Sequence, residues 1–334
     1  MADSLEAPVA SIAGMRTIDW VDDAIEIIDQ TVLPGELKIL RLHTVGELVA
    51  AIQALAVRGA PALGVAGALG VALAARVHAD DPQALAAAVH RIEHARPTAV
   101  NLARGARRAA ELLPRGPQAV LAAALLVRDE EIAASAAMAE LGADLIVELC
   151  GARPRLLTHC NTGGLAAVTV GTALGVVHEL HQRGRLGGVI ASETRPLLQG
   201  ARLTSWELSQ WGIEHRIAVD SAGPFLMARG EVDAVILGAD RICANGDVIN
   251  KIGSYAHALG ARRAGLPFVV VAPESTVDLG TPSGDAVPIE DRGPAEITPW
   301  APAANPAFDV TPHDLVTAIV TDRRVIRLDR SESV

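Results

Sequence analysis

The second half of the chain alternates short apolar segments with helical segments, and this alternation is the strongest constraint on its fold. Five apolar segments have the length of β-strands and lie at 155–159, 187–192, 215–219, 233–239 and 267–272. Helices are predicted between them, at 163–183, 201–211, 223–229 and 254–265. Apolar strands joined by helical crossovers are typical of a parallel sheet that is covered on both faces. The pattern therefore predicts an α/β fold built on a parallel sheet.

The first half of the chain has a different pattern, with two short strands followed by helices. The strands are predicted at 24–29 and 37–42, on either side of a Pro-Gly turn. Thr44 fits a helix N-cap, and Glu47 fits its capping-box partner, so a helix should begin there and reach about Val57. Further helices are predicted at 61–78, 82–95, 100–113 and 117–150.

These two patterns divide the chain into domains. The prediction is an N-terminal strand-plus-helix domain over 15–125, a connecting helix over 126–150 and a parallel-sheet domain over 151–330. The second boundary falls where a Gly-Ala-Arg-Pro segment interrupts the long helical pattern. Near the C-terminus the pattern predicts a strand at 286–290 and a helix–strand pair over 311–327.

The composition argues against several classes of partner. A net charge of −10 disfavours a nucleic-acid-binding surface. The N-terminus lacks the basic start and apolar core of a signal peptide, and Arg, Gly and Pro interrupt the Ala-rich segment 56–75, so no membrane partner is expected. The three cysteines, Cys150, Cys160 and Cys243, form no CxxC pair and no metal-ligand spacing. Reduced thiols of this kind favour a cytoplasmic location.

The stretch from Val235 to Gly253 places three polar groups at one edge of the predicted sheet. An apolar run ends at Asp240, a polar loop follows, and Asn250 and Lys251 come next. Open α/β sheets bind ligands at the carboxyl ends of their strands, so these side chains are candidates for a small-molecule site. Lys251 is notable because the chain has only two lysines among its 29 basic residues, and lysine and arginine are not interchangeable.

The segment Arg58-Gly59-Ala60 comes just before a helix that is rich in small residues. A helix N-terminus offers unpaired backbone N–H groups and a partial positive charge, which favour phosphate, and Arg58 would add a bidentate contact. The alternative is that the glycines only allow close packing of helices. The sequence leaves both interpretations open.

Cys160 ends the first predicted strand of the second half, and the start of a helix is predicted just after it. That position can lower the pKa of a thiol, although a free cysteine is more often a small buried apolar residue. His159 points to the other face of a regular strand, so a structural role is predicted for it. Gly163-Gly164 does not make a GxGxxG fingerprint, which disfavours a nicotinamide cofactor.

Three further residues are weaker candidates. Gln199 lies in the polar segment 193–200 after the second strand, which either faces the same edge of the sheet or is a solvated loop with Glu193 paired to Arg195. Arg96 precedes a helix of the first half and reaches this edge only if the domains close over it. Asp220 also ends a strand, where it fits a helix cap as well as a site.

Taken together, five motifs resemble the family of methylthioribose-1-phosphate isomerases, which is related to the regulatory subunits of translation initiation factor 2B. They are RGAPALG, RPTAVNL, THCNTGGLA, ETRPLLQGARLT and GADRICANGDVINKIG, in the order and spacing of that family, and the resemblance extends over residues 15–327. It implies catalytic positions at Cys160 and Asp240. It implies substrate and phosphate contacts from Arg58, Gly59, Ala60, Arg96, Gln199, Asn250 and Lys251.

The resemblance also implies a homodimer with a small N-terminal domain, a Rossmann-like C-terminal domain, and no metal or nucleotide cofactor. The implied reaction converts 5-methylthioribose 1-phosphate to 5-methylthioribulose 1-phosphate in methionine salvage. Asp240 would act as a neutral acid on the ring oxygen, which requires an apolar setting that raises its pKa. Cys160 would either remove the C2 proton or support a hydride shift from C2 to C1.

Two alternatives remain from the sequence. The first is a related isomerase of ribose 1,5-bisphosphate or 5-deoxyribose 1-phosphate, although a second phosphate would require another basic cluster, and none is found in the sequence. The second is a regulatory subunit that senses sugar phosphates without catalysis. Such a subunit need not keep both Cys160 and Asp240, and this chain has both.

Overall fold

The computed structural model describes residues 15–96 and 99–334. Two features of the sequence fall outside these ranges. One is most of the N-terminal segment that was compared with a signal peptide, and the other is Pro97-Thr98 of the RPTAVNL motif.

The N-terminal half begins with a three-stranded antiparallel sheet and continues with helices. Its strands, in sheet order, are β1 (Ile18–Val21), β2 (Ala24–Ile28) and β3 (Ile39–Leu42). The helices are α1 (Val45–Gln53), α2 (Ala60–Val77), α3 (Pro82–Glu93), α4 (Val100–Ala110) and α5 (Pro117–Cys150). The capping box is confirmed, because the Thr44 side chain accepts from the Glu47 N–H and the Glu47 side chain accepts from the Thr44 N–H.

Helix α2 is the central helix of the N-terminal core. It is long and apolar enough to cross a membrane, but 78% of it is buried inside the protein, as expected for the core helix of a globular unit. Its small residues let α4 approach closely. A Cβ on Gly67 would lie 2.2 Å from the Leu102 carbonyl oxygen, and a Cβ on Gly105 would lie 1.9 Å from the Gly64 carbonyl oxygen. Close helix packing therefore explains the glycines within α2.

Helix α5 joins the two halves of the molecule. Near its start Val120, Ala124 and Val127 pack into the N-terminal core, and further along Met138 and Ile146 pack into the core of the large sheet. The helix is continuous from Pro117 to Cys150. The domain boundary within it, at residue 125, stays a prediction.

The C-terminal half is built on a seven-stranded sheet, and the predicted α/β class is confirmed. The strands of this half are β4 (Arg155–Thr158), β5 (Gly188–Ser192), β6 (His215–Ala218), β7 (Ala234–Leu237), β8 (Arg241–Cys243), β9 (Val248–Lys251), β10 (Phe268–Val271), β11 (Val277–Asp278), β12 (Phe308–Thr311), β13 (Ala318–Val320) and β14 (Val325–Ile326). The helices are α6 (Ala173–Gln182), α7 (Ser205–Gln210), α8 (Gly223–Ala228) and α9 (Ser254–Ala264).

The order of the large sheet is β14-β13-β10-β7-β4-β5-β6, and only β14 runs antiparallel to its neighbour. All five strands predicted from the apolar runs are present, as β4, β5, β6, β7 and β10. A smaller sheet has the order β11-β8-β9-β12 and packs beyond the carboxyl end of β7. It positions the residues that follow Asp240.

Five predicted segments differ from the structure. The helix predicted at 163–183 begins only at Ala173, because residues 159–172 form a folded loop with a short 3-10 turn at Gly164–Ala166. The helix predicted at 201–211 starts as a π-helical turn before α7. No strand forms at 286–290, and the predicted C-terminal helix is only a 3-10 turn at His313–Leu315. The polar loop after Asp240 is instead the hairpin β8–β9.

Hydrogen bonds from the N-terminal half hold the loop that follows β4. The Thr17 hydroxyl donates to the Gly164 carbonyl at 2.6 Å, and the Gln30 side-chain amide donates to the Leu165 carbonyl at 2.7 Å. The Arg202 guanidinium donates in the opposite direction, to the Gln30 carbonyl at 2.8 Å and the Leu33 carbonyl at 3.0 Å. The two halves therefore meet at the carboxyl edge of the large sheet.

The close contact of α2 and α4 predicts a large difference between two glycine substitutions. Gly105→Ala should destabilise the protein by about 1–3 kcal/mol or more, because the added Cβ overlaps backbone of the facing helix. Gly46→Ala in α1 should instead be neutral or stabilising by about 0.5–1 kcal/mol, because its nearest neighbouring atom lies 3.8 Å from the added Cβ. Urea unfolding of both variants measures the difference, and equal stabilities would contradict this account of the packing.

Candidate active site

A cavity of about 400 Å³ lies at the carboxyl edge of the large sheet, between the two halves of the molecule. Its wall includes α2 and the segment before α4 from the N-terminal half, and the ends of β4, β7 and β9 from the C-terminal half. Every site residue predicted from the sequence lines it: Arg58, Gly59, Ala60, Arg96, Cys160, Gln199, Asp240, Asn250 and Lys251. The roles assigned to these residues stay predictions.

Cys160 is held in an unusual backbone conformation. It has a φ of 61°, in the left-handed region that non-glycine residues rarely adopt. Its N–H donates to the Thr194 hydroxyl at 2.8 Å, and its carbonyl accepts from the Thr204 hydroxyl at 2.6 Å. Asp220 in turn accepts from the Thr194 N–H at 2.7 Å and the Arg195 N–H at 2.7 Å. These contacts fix the direction in which the Cys160 side chain leaves the strand.

Asp220 is thus an anchor for the loop after β5, whereas the sequence left it between a helix cap and a site residue. The ion pair considered between Glu193 and Arg195 is not formed among the described residues. The loop instead brings Gln199 to the cavity wall. Gln199 is 7% exposed, and its Oε1 atom has no hydrogen-bond partner within the described chain.

Asp240 follows β7 and directs its carboxyl group into the cavity. Its backbone N–H donates to the Ile249 carbonyl at 2.9 Å, which ties it to the β8–β9 hairpin. The Asp240 side chain is accessible through the cavity, but the surrounding protein removes much of its hydration, and this desolvation raises its pKa. Lys251, Arg96 and Arg58 oppose the increase in pKa, but the net direction is upward. Displacement of the cavity water by a ligand strengthens the burial effect.

Three cations face the cavity. Among the described residues, none of Arg58, Arg96 and Lys251 forms an ion pair with a carboxylate. The Arg58 guanidinium donates to the Asn161 side-chain carbonyl at 2.5 Å, and its Nε atom is buried without a partner. Burial lowers the pKa of both Arg58 and Arg96. Buried cations without counter-ions create a site that favours an anion.

Lys251 is held by two contacts from β12. Its Nζ atom donates to the Ala307 carbonyl at 2.9 Å and lies 4.6 Å from the centre of the Phe308 ring. Asp309 accepts from the N–H groups of Gly253 at 2.7 Å and Tyr255 at 3.1 Å, which holds the backbone just after Lys251. Pairing of β9 with β12 therefore fixes the lysine head group at the cavity.

The start of α2 resolves the two interpretations of its glycines. Gly59 has a φ of 94°, and a Cβ there would lie 2.3 Å from the Ala166 carbonyl oxygen. It thus allows the helix to begin directly against the loop that follows Cys160. No side chain caps the N-terminus of α2. Gly67 serves helix packing, whereas Gly59 and Ala60 lie at the cavity with an uncapped helix N-terminus, a geometry that suits phosphate.

His159 lies in a buried network behind Cys160 and not on the cavity wall. Its Nε2 atom donates to the Ile252 carbonyl at 2.8 Å, so its Nδ1 atom is the acceptor for the His257 Nε2–H at 3.3 Å. Ser192 Oγ lies 2.9 Å from the same His257 nitrogen. Burial lowers the pKa of His159 to about 4 and that of His257 to about 3. Both imidazoles are therefore neutral in the folded protein at neutral pH.

The sequence analysis missed several residues that support the site. They are Asn161, Thr194, Thr204, Glu207 and Phe308. Glu207 carried a detectable signal, since it shares a helical face with Leu203, Thr204 and Leu208, all of which are buried. A charged residue on the buried face of a helix requires polar partners.

The chain was compared with known proteins. The profile described as the Initiation factor 2 subunit family matches residues 56–327. A probable bifunctional methylthioribose-1-phosphate isomerase/methylthioribulose-1-phosphate dehydratase of Nocardia farcinica is 50% identical over 93% of this chain. This chain spans only 60% of the length of that relative. A 5-deoxyribose 1-phosphate isomerase of Moorella thermoacetica is 48% identical over 93% of each chain.

A solved structure is also similar along most of its length. The crystal structure of 5-methylthioribose 1-phosphate isomerase from Pyrococcus horikoshii OT3 superposes with a TM-score of 0.88 at 40% sequence identity. The superposition covers 94% of this chain and 92% of that one. The fold is thus shared with a protein that carries this name.

The neutral histidine pair predicts a loss of stability in acid. The pKa of each imidazole is depressed in the folded state, so the stabilisation is complete above pH 6.5 and declines as the pH falls towards 4. Each histidine contributes a slope of up to about 1.4 kcal/mol per pH unit in that window. His257→Gln should therefore make the decline in unfolding free energy shallower.

The measurement is urea unfolding between pH 7 and about pH 4.5, a window set by the ordinary histidine pKa. Ser192→Ala is the matched control, because it removes a hydrogen bond of the same network but keeps both imidazoles. It should lower stability by a similar amount at every pH. If the unfolding free energy of His257→Gln depends on pH as steeply as that of the wild type, the proposed titration of His257 is ruled out.

Proposed function

The chain belongs to the initiation factor 2 subunit family, and from this premise we propose that it converts 5-methylthioribose 1-phosphate to 5-methylthioribulose 1-phosphate in methionine salvage. The reaction is an aldose–ketose isomerisation, in which C1 of a phosphorylated furanose becomes a CH₂-phosphate and C2 becomes a ketone. One observation carries the proposal: a cysteine and an acid with a raised pKa follow neighbouring parallel strands and face a cavity with three cations that form no ion pair with any carboxylate of the described chain. The wall of this cavity also offers Gln199 and Asn250 for sugar hydroxyls.

Asp240 supplies the acid that the substrate requires. The C1 oxygen of the furanose carries phosphate, so the ring opens only when the bond between C1 and the ring oxygen breaks. A proton from Asp240 to the ring oxygen gives a C4 hydroxyl group and leaves the positive charge at C1. The raised pKa of Asp240 favours the protonated form that this step uses. The negative charge of the bound phosphate raises that pKa further.

Cys160 acts on the C2 side of the sugar. Hydrogen moves from C2 to C1, the C2 hydroxyl loses its proton, and the product has a ketone at C2 and a CH₂-phosphate at C1. The reaction is balanced within the substrate, so it consumes no oxidant or reductant. The fixed backbone at Cys160 positions its thiol for this step, and such positioning accounts for a large part of enzymatic rate enhancement.

The three cations bind the phosphate and orient the sugar. Arg58 and the N-terminus of α2 hold the phosphate, and Arg96 and Lys251 add charge from the other sides of the cavity. Asn250 is buried and donates to the Ser254 hydroxyl at 2.8 Å, so its side-chain carbonyl is directed to accept from a sugar hydroxyl. Gln199 presents its unpartnered Oε1 atom in the same way.

The charges around the cavity favour an uncharged substituent at C5. Arg292 also lines the cavity, but Glu296 engages it through bonds of 2.9 and 3.0 Å, and Glu290 lies 3.6 Å away. Arg241 is likewise paired with Asp278 at 3.1 Å. A second phosphate at C5 would thus find no further free cation among the described cavity residues. 5-Deoxyribose 1-phosphate is the second candidate substrate, because a relative that is 48% identical carries that name.

The function predicts a specific pattern of turnover. Purified protein should form the ketose from methylthioribose 1-phosphate, as followed by NMR, and should act on ribose 1,5-bisphosphate poorly. Cys160→Ala and Asp240→Asn should each lower kcat by about 10²–10⁴-fold, because each removes a group that takes part in proton or hydrogen transfer. Both variants should still bind inorganic phosphate.

Cys243→Ala is the matched control, since this cysteine is buried in β8 and does not line the cavity. It should keep near wild-type turnover. Phosphate binding without product from any of the three sugars would favour a regulatory subunit. Faster turnover of 5-deoxyribose 1-phosphate than of the methylthio sugar would make the second candidate the substrate.

We also propose that the protein is a cytoplasmic homodimer. The support is a set of exposed apolar side chains on β6, just after β6, and on the packed helices α8 and α9: Ile217, Val219, Phe225, Tyr255 and Leu259. Phe225 is 62% exposed, which is unusual for an aromatic residue at a surface that stays in water. The free cysteines are consistent with a reducing compartment.

The proposed dimer predicts a simple change of mass. Phe225→Glu should shift the protein from dimer to monomer in light scattering after size-exclusion chromatography, because it places a charge in the apolar surface. Trp300→Glu is the control, since Trp300 is 84% exposed but lies on a different segment. A monomeric wild-type protein would refute the proposal.

A further inference from the structure

Glu207 is a buried carboxyl group that the proposed chemistry does not use. It lies on α7, its residue surface is 0% exposed, and it does not line the cavity. Its Oε2 atom accepts from the Asn161 side-chain amide at 2.5 Å, and its Oε1 atom accepts from the Leu165 N–H at 3.1 Å. Burial raises the pKa of Glu207 to about 7, against the opposing effects of these donors and of Arg58.

Asn161 connects this carboxyl group to the anion site. Its side-chain carbonyl accepts from the Arg58 guanidinium at 2.5 Å, while its amide donates to Glu207. The same amide lies 3.2 Å from the Thr204 hydroxyl, whose proton goes to the Cys160 carbonyl. One short chain of hydrogen bonds therefore runs from Glu207 to Arg58, with a branch to the backbone of Cys160.

The direction of these bonds follows from the chemistry of the end groups. A guanidinium only donates hydrogen bonds, and the ionised form of the Glu207 carboxyl group only accepts them. Asn161 must therefore present its NH₂ group to Glu207 and its carbonyl oxygen to Arg58. The opposite orientation would place an amide donor against a guanidinium donor. Glu207 thus determines how Asn161 is oriented, and Asn161 determines where the Arg58 guanidinium points.

The chain accommodates this carboxyl group at a cost. A Cβ on Gly163 would lie 2.3 Å from the Glu207 Oε2 atom, so only glycine leaves room for the carboxyl group. Burial of a carboxyl group without a direct counter-ion is unfavourable unless hydrogen bonds compensate for it. A buried acid that accepts from the segment 161–165, and that is linked through Asn161 to a cavity cation, is better explained by a role at the site than by stability.

We propose that Glu207 is a positioning residue, which through Asn161 aims the Arg58 guanidinium at the phosphate group of the substrate. The proposal rests on the proposed function for the identity of the phosphorylated ligand. It requires only that a phosphate group binds beside Arg58. In the part of the chain that the structure describes, Arg58 forms no ion pair with a cavity carboxylate, and its guanidinium is held instead by the Asn161 side chain.

The test compares two carboxyl-to-amide substitutions in the full-length protein. Glu207→Gln should weaken inhibition by inorganic phosphate and raise KM by about 10–100-fold, the range expected when one charge-assisted hydrogen bond is lost. The effect on kcat should be smaller, because the acid and the cysteine remain. Glu131→Gln is the matched control: burial also raises the pKa of Glu131 to about 7, but this residue faces Arg104 and Asp322 outside the cavity. It should keep wild-type phosphate inhibition.

A double-mutant cycle separates a positioning role from a general structural one. In an Arg58→Ala background, Glu207→Gln should cause no further loss of phosphate affinity, because the group that it positions is gone. Additive losses would overturn the proposal, as would unchanged phosphate inhibition in Glu207→Gln alone. If Glu207→Gln does not fold, Asn161→Ala provides the same test, since it removes the connection and keeps both end groups.

The same measurements distinguish failure of the inference from failure of the proposed function. Inorganic phosphate reports on Arg58 whichever sugar phosphate is the substrate. The losses of phosphate affinity in Glu207→Gln and Arg58→Ala could prove non-additive in a protein that does not isomerise methylthioribose 1-phosphate. That result would support the positioning role and refute the proposed function. If the protein isomerises methylthioribose 1-phosphate and Glu207→Gln keeps wild-type phosphate inhibition, the proposed function is supported and the positioning role is refuted.

Discussion

The parallel pairing of β4 with β7 is the constraint on which the rest of the site depends. Leu156 pairs with Ala234 and Leu157 with Val235, and all four side chains are buried in the core. Because parallel strands end at the same edge, this register brings Cys160 and Asp240 to one cavity from two segments of the chain. A shift by one residue would turn the apolar side chains of β4 to the opposite face of the sheet. The apolar core therefore fixes the distance between the proposed acid and the proposed cysteine.

The charges of the cavity are consistent with a ligand that carries a phosphate group next to a sugar ring. Arg58, Arg96 and Lys251 leave the empty cavity with an excess of positive charge, which lowers the pKa of Asp240 and opposes the effect of its depth. A bound phosphate neutralises that excess and displaces water, and both changes favour the protonated acid. In the proposed mechanism, phosphate binding and protonation of Asp240 are thus linked through the same three cations.

Much of the fold was predictable because its elements are fixed by local patterns. The helices from α2 to α5 and all five apolar strands lie within a few residues of their predicted positions. The errors have a common physical origin in long-range contacts. The loop over 159–172 resembles a helix in composition, but bonds from Thr17 and Gln30 hold it open. The strands β8 and β9 were missed because their segment has the composition of a polar loop. They form a hairpin, and β9 also pairs with β12, from which more than fifty residues separate it in sequence. The site residues came from motifs, whereas Glu207 was missed because its hydrogen-bond partners, Asn161 and Leu165, lie 46 and 42 residues away in sequence.

Two buried networks meet at Cys160, and their difference explains how the site is held together. The neutral network links His159 to Ile252, next to Lys251, and so ties the β4 end to one cation. The charged network links Asn161 to Arg58 and Glu207, and so ties the same turn to a second cation. Both networks start from residues adjacent to Cys160. The left-handed backbone conformation at this cysteine thus connects the two networks. It sets the separation between the two cations that are proposed to hold the substrate.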